Sequence, residues 1–200
     1  FYVNNKVLDP RPESEFLIDS FKKYYPNFNS KIRICDLGTG SGCIAITLAK
    51  IYKNSFITAT DLSLDAIKVS KINAKNHKVL KRIKFINCNW IDTKTKYDVI
   101  ISNPPYLNKE EYNSSSKEIK NFEPEMAFLA GKDGLNSYRQ IGDIINGNIK
   151  PNTFIFLEIG KGQSKKVKYI FSRRKFKIIE IIRDYQSIER VLVFKKQDFV

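Results

Sequence analysis

The sequence predicts an open α/β fold: a seven-stranded, mostly parallel sheet whose last strand runs antiparallel. Three observations carry that expectation. Short runs rich in β-branched residues alternate with amphipathic stretches at short intervals, as in strands joined by helical crossovers. A glycine-rich turn, Leu37-Gly38-Thr39-Gly40-Ser41-Gly42, links the first main run to a helical pattern. The final two runs are joined only by residues 183 to 189, which suits an antiparallel pair.

Residues 1 to 12 read as an extended segment or hairpin, with Val3 and Val7-Leu8 flanking Asn4-Asn5-Lys6 and two prolines fixing Asp9-Pro10-Arg11-Pro12. From Glu13 to Tyr25, the residues Phe16, Leu17, Phe21, Tyr24 and Tyr25 recur at helical spacing, and Pro26 closes the pattern. The chain therefore divides into an N-terminal hairpin and helix, 1–30, and a main α/β domain, 31–200.

Strands are expected over Lys31–Asp36, Ser55–Asp61, Ile83–Cys88, Tyr97–Ser102, Thr153–Glu158, Phe176–Ile182 and Arg190–Lys195. Helices are expected over Cys43–Tyr52, Leu64–Asn76 with Ser63 as its cap, Asn136–Asn146 and Gln163–Arg173. Asn108 to Gly134 reads as one long irregular stretch following the turn at residues 103–106, a position that suits a lid or substrate wall.

With 42% hydrophobic residues and no apolar run near membrane-spanning length, the chain reads as a single soluble, cytoplasmic unit. Cys35, Cys43 and Cys88 lack metal-ligand spacing and read as buried thiols, so no metal is expected; His77 reads as a solvated or capping residue. The formal net charge of +14 suits nucleic acid, a ribosomal partner or another acidic surface, or is a solvated shell of a Lys- and Asn-rich composition. The cluster Lys165, Lys166, Lys168, Arg173, Arg174 and Lys175 reads as a solvated helix face.

The glycine loop leaves room for backbone amides to approach a nucleotide-type cofactor. Its spacing fits a dinucleotide fingerprint poorly, because that pattern's third glycine falls on Cys43 or, counted from Gly40, on Ala45. A carboxylate at Asp36 also suits a cationic cofactor better than a pyrophosphate. Together these favour S-adenosylmethionine, with Asp36, Gly38, Thr39, Gly40 and Gly42 forming the loop. Asp61, ending the second strand, is placed for ribose hydroxyls, with Leu62 beside it. Asn89 and Trp90 follow the third strand, where Trp90 stands either against an adenine ring or in the core.

The fourth strand runs into Asn103-Pro104-Pro105-Tyr106 at the sheet edge where open α/β folds bind ligands. A planar nitrogen is a weak nucleophile. The Asn103 side-chain oxygen and the Pro104 carbonyl can accept its two N–H bonds and stabilise charge developing on it, while Tyr106 packs on its flat face. The motif alone leaves a glutamine amide and an adenine amine equally open.

These residues resemble the protein-(glutamine-N5) methyltransferases that modify class I peptide-chain release factors. Arg11-Pro12-Glu13-Ser14-Glu15 is similar to that family's Arg-Pro-Glu-Thr-Glu segment, and Asp36 to Gly42 to its cofactor loop. Asn103-Pro104-Pro105-Tyr106 matches its catalytic motif; Phe122-Glu123-Pro124-Glu125-Met126-Ala127, Gly131 to Leu135 and Tyr138-Arg139 resemble the segment beyond. Leu157-Glu158-Ile159-Gly160, Asp184-Tyr185 and Glu189-Arg190-Val191 match later signatures.

The resemblance implies a Rossmann-like class I S-adenosylmethionine-dependent methyltransferase, acting as a monomer on the glutamine of the release factor's Gly-Gly-Gln motif, with no nucleic acid required. It implies Asn103, Pro104 and Tyr106 as catalytic residues. Arg11, Glu13, Pro105 and Glu123 would join them in holding substrate.

Three departures stand out. The family carries a helical N-terminal domain that helps hold the release factor, and this sequence begins just before the Arg-Pro-Glu segment, as a catalytic domain without that part. Asp9 lies where an aliphatic residue is usual, and Asn89 where an acid is frequent. Rival readings are an adenine-N6 nucleic-acid methyltransferase, a glutamine methyltransferase acting on a ribosomal protein, and a non-catalytic module that binds RNA or a partner.

Overall fold

The computed structural model describes residues 1–91 and 95–196. None of the site residues expected from the sequence lies outside them. The strands are β1 (Arg33–Leu37), β2 (Phe56–Asp61), β3 (Ile83–Asn87), β4 (Tyr97–Ser102), β5 (Ile149–Glu158), β6 (Phe176–Arg183) and β7 (Glu189–Lys196). The helices are α1 (Glu15–Tyr24), α2 (Cys43–Ile51), α3 (Leu64–Asn76), α4 (Lys109–Asn113), α5 (Lys117–Phe122), α6 (Asn136–Ile144) and α7 (Ser164–Ser172).

One sheet runs β3-β2-β1-β4-β5-β7-β6. β7 is antiparallel to both neighbours, β5 and β6, as expected for the last strand. The strand order reverses between β1 and β4, which creates a crevice at the carboxyl edge. Register decides what meets there. Leu37 pairs with Thr60 on one side and with Ser102 on the other, and Ser102 pairs with Leu157. The residues that follow, Gly38, Asp61, Asn103 and Glu158, therefore emerge together.

Both faces of the central strands are covered, so successive residues are all buried but enter different cores. Ile34, Val99, Ile101, Phe156 and Val193 pack beneath Leu17 and Phe21 of α1 and Ile46 and Leu48 of α2. Cys35, Ile100, Ile155, Leu157 and Phe194 pack beneath Tyr138 and Ile141 of α6 and Val167 and Phe171 of α7. Each fully buried Leu, Ile or Phe contributes on the order of 1.5–3 kcal/mol, which fixes the sheet beneath its working edge. No helix among the described residues is long and apolar enough to cross a membrane.

Two sequence expectations change. The N-terminal segment has a turn but no paired strands, so it is not a hairpin. Asn73 of α3 satisfies its backbone instead, accepting from the Tyr2 N–H at 2.7 Å and donating to the Tyr2 carbonyl at 2.8 Å. Val7 is buried against Ala66 and Val69, with Val3 beside them.

The stretch 108–134 is likewise not irregular throughout. Asn108 closes a capping box with Glu111 at the start of α4, and Ser116 caps α5 by accepting from the Ile119 N–H. Helices of five and six residues are too short for apolar periodicity to reveal. Elsewhere the expected bounds hold to within two residues, except that β5 begins at Ile149 and not at Thr153. Ser63 caps α3, and His77 ends that helix with its ring 4.6 Å from that of Phe1.

Candidate active site

At the carboxyl edge lies a cavity of about 450 Å³. Its floor is the turn after β1, and its walls come from the β2–α3 turn, Asn89-Trp90, the residues after β4, and the N-terminal segment. Pro124, Met126, Ala127 and Leu129 of the lid complete the enclosure.

Gly38, Thr39, Gly40, Asp61, Leu62, Asn89 and Trp90 line this cavity. Gly40 has φ +55° and open space where a Cβ would stand, so its backbone faces the cavity unobstructed. The Gly40 N–H donates to Asp61 Oδ2 at 2.9 Å and the Ser63 N–H to Oδ1 at 2.8 Å, which pins the carboxylate to the loop. Burial raises the Asp61 pKa against those two bonds. Trp90 lines the cavity and also packs against the second core, while its Nε1–H donates to Gln140 at 2.8 Å.

Asp36 and Gly42 sit outside the cavity wall. Asp36 is wholly buried beneath the loop, where Thr39 Oγ1 donates to its Oδ2 at 2.6 Å. Its Oδ1 is buried without a hydrogen-bond partner; the Ala45 N–H approaches the carboxylate from α2 without closing a bond on that atom. Burial pushes the Asp36 carboxyl up to about 7. A Cβ on Gly42 would meet Ile46 and Ser70 at 3.0 Å, so this glycine serves the close approach of α2 to α3.

Arg11, Ser14, Asn103 and Pro105 line the same cavity. Asn103 Nδ2 donates to Ser14 Oγ at 3.0 Å, and Ser14 Oγ donates to Glu158 Oε2 at 2.8 Å. Glu158 is 2% exposed, and burial pushes its carboxyl up to about 7 against the Ser14 bond and the nearby Arg190 charge.

Pro104 is buried and does not line the cavity. Nor does Tyr106, which packs into the second core against Gly160. Burial there pushes its phenol up to about 12. The Tyr106 carbonyl is held by Gln163 Nε2 at 2.7 Å, while Gln163 Oε1 accepts from the Gly160 N–H at 3.1 Å.

The Arg-Pro-Glu segment splits. Arg11 lines the cavity and pairs with Glu123 at 2.5 Å, and Glu123 also accepts from the Asp9 N–H at 3.1 Å. Glu123 is thus a clasp between the N-terminal segment and the lid and is not part of the cavity wall. Glu13 points into a separate cleft toward Arg190, 3.8 Å away.

Sequence reasoning gave no role to Ser14, Glu158, Gln140 or Gln163. Ser14 and Glu158 stood inside quoted motifs, but only strand register reveals that they meet Asn103. Cys43 also lines the cavity, where burial pushes its thiol up to about 11. No group of metal-binding side chains occurs among the described residues.

Residues 6–121 match the family model of the methyltransferase small domain. A bifunctional methyltransferase of Rickettsia typhi is 41% identical over 96% of this chain and 41% of its own length. The chain thus spans about two fifths of that relative. A release factor glutamine methyltransferase of Clostridium acetobutylicum is 35% identical over 96% of this chain and 69% of its own length. Among solved structures, a release factor-specific protein-(glutamine-N5) methyltransferase of Alicyclobacillus acidocaldarius has the same fold, with a TM-score of 0.56, 24% identity, and 94% of each chain covered. A buried acid beneath a glycine loop, an Asn-Pro-Pro-Tyr turn whose Asn103 and Pro105 line the same cavity as that loop, and relatives aligned along nearly the whole sequence agree: the chain belongs to the release factor glutamine methyltransferases of the methyltransferase small-domain family.

Proposed function

We propose that this chain transfers a methyl group from S-adenosylmethionine to the side-chain amide nitrogen of a glutamine in peptide chain release factors, the one in their Gly-Gly-Gln motif. The observation that carries the reading is Asn103. Its Nδ2 is engaged by Ser14, so its Oδ1 remains as an acceptor in the cavity that the glycine loop also lines.

The residues present fit the cofactor. Gly40 leaves an open cradle, and the unpartnered Oδ1 of buried Asp36 beneath the loop favours a cationic group above it. Gly38, Thr39, Gly40, Asp61, Leu62, Asn89 and Trp90 would hold it, and bound S-adenosylmethionine supplies an electrophilic methyl on a sulfonium. The chain's own residues handle the acceptor. Asn103 Oδ1 takes one N–H bond of the glutamine amide, aligns its nitrogen for in-line attack and stabilises the charge that arrives there, and the Pro104 carbonyl, behind the cavity wall, would take the second only if the turn shifts to present it. Neither Pro104 nor Pro105 carries an N–H to compete. Tyr106 shapes this turn through its backbone carbonyl.

The test is methyl transfer from labelled S-adenosylmethionine to release factor, its Gln-to-Ala variant, DNA and RNA. Label should enter the unmodified factor alone. Asn103→Ala should lose roughly 10²- to 10³-fold in turnover with cofactor affinity retained, as for loss of one charge-stabilising group. Label in nucleic acid with none in the factor overturns the reading in favour of an adenine methyltransferase.

A further inference from the structure

We propose that Glu158, acting through Ser14, is a positioning residue that sets which end of the Asn103 amide faces the acceptor. The proposal rests on the acceptor role given to Asn103 above.

An ionised carboxylate has no proton, so it only accepts hydrogen bonds. The 2.8 Å contact therefore requires the Ser14 hydroxyl to donate to Glu158. With its one proton spent, the Ser14 oxygen accepts, and the group 3.0 Å away on Asn103 must be the Nδ2–H₂ donor. Oδ1 is left toward the cavity, the polarity an amide N–H of the substrate needs. The Asn103 side chain also lies near enough to the carboxylate to lower its pKa, in keeping with the same orientation.

Protonation of Glu158 reverses this logic. A neutral carboxyl can donate to Ser14, which can then donate to Asn103 Oδ1. That turns Nδ2–H₂ to the cavity, donor against donor.

The carboxylate is poised for such a change by its surroundings. It is buried at the end of β5. Glu13 and Arg190 face it with opposite charges, the Tyr106 and Tyr138 phenols and the Cys43 thiol lie within electrostatic reach, and the Tyr138 hydroxyl donates to the Glu158 backbone carbonyl at 3.1 Å. Arg190 is the sole cation of this set and is shared with Asp184 at 2.8 Å. Burial first, with the Glu13 charge beside it, outweighs Arg190 and leaves Glu158 protonatable near neutral pH, its carboxyl pushed up to about 7.

Two measurements on the whole chain test the inference. In steady-state transfer to release factor, Glu158→Gln should lower kcat on the order of 10²-fold, because misalignment of a reacting group by about 1 Å has that effect, while the cofactor Kd stays within about twofold. The acid limb of the wild-type kcat profile, falling below about pH 7, should vanish in this variant. Ser14→Ala should fall similarly and Ser14→Thr, which keeps the hydroxyl, should recover most of the rate. In ¹⁵N spectra, the Asn103 side-chain NH₂ signals, identified by their loss in Asn103→Asp, should shift through the same pH range and stay fixed in Glu158→Gln. This readout needs no substrate. Absence of transfer by the wild-type chain counts against the function proposed above, and the spectra then decide the present claim alone. Asn103 signals that are flat from pH 5 to 9, or a kcat of folded Glu158→Gln within twofold of wild type, overturn it.

Discussion

Replacing Gly134 by Ala probes the turn that carries the acceptor wall without touching the cavity. Gly134 has φ +70°, and a Cβ there would stand 2.5 Å from the Tyr106 carbonyl oxygen and 3.0 Å from Gln163 Nε2. The left-handed backbone alone disfavours alanine by roughly 1–2 kcal/mol. Pushing the Tyr106 carbonyl aside also breaks its 2.7 Å bond to Gln163, about 1 kcal/mol more. A total of about 2–3 kcal/mol corresponds to a fall in Tm of roughly 4–12 °C for a chain of this length.

Gly131→Ala is the internal control. Its φ is +80°, but its Cβ would meet the Asn136 side chain, which can swing away. It should show the backbone penalty alone, a Tm fall of roughly 2–8 °C. Thermal melts with and without cofactor, together with single-turnover transfer, form the assay. Gly134→Ala should keep cofactor affinity within about twofold and lose transfer on the order of 10²-fold. A Gly134→Ala protein no less stable than Gly131→Ala, or one transferring at the wild-type rate, refutes the reasoning.

Other perturbations read other parts of the site. Trp90 is the sole tryptophan and lines the cavity, so cofactor binding should change its emission, and Trp90→Phe should abolish the signal while retaining most of the affinity. Asp36 and Glu158 both have folded pKa values of about 7, raised above the unfolded values near 4, so the folded state binds their protons more tightly. Their contribution is fully present below about pH 4 and is lost as pH rises through about 7; urea midpoints should fall between pH 5 and 8, with a shallower fall in Asp36→Asn. The partly buried Arg11–Glu123 pair should show a coupling of about 1 kcal/mol in a double-mutant cycle read by thermal melts. Either single variant should raise the cofactor Kd several-fold by loosening the N-terminal segment from the lid.

What the sequence made legible was local. The Gly38 to Gly42 turn, Asp61 at a strand end and Asn103-Pro104-Pro105 each announce themselves within a few residues, and the structure brings most of them to one edge. What escaped it depends on register. Glu158 lies 55 positions from Asn103 and reaches it only because Ser102 pairs with Leu157. Tyr106 looked like a wall for the acceptor because its side chain is aromatic, yet Gly160 opens a slot in the second core that takes the ring. Gly42 read as part of the cofactor loop, although its missing side chain serves helix packing. The short helices α4 and α5 escaped because caps at Asn108 and Ser116, and not apolar periodicity, define them.

The placement of β7 has a consequence for how the chain acquires its site. Among the described residues β7 is the last strand in sequence but an interior one in the sheet, wedged between β5 and β6. β6 and β7 are sequence neighbours joined by a tight turn, so they can pair early and dock as a preformed hairpin. Until that docking, β5 presents an unpaired edge, and Arg190 is missing from the surroundings of Glu158 and Glu13. During synthesis the cofactor half, β1 to β4, can be assembled while the acceptor wall still waits for the last strand. A chain without β7 would therefore retain the crevice at the edge of β1 to β4 while the surroundings of Ser14, Asn103 and Glu158 stayed incomplete.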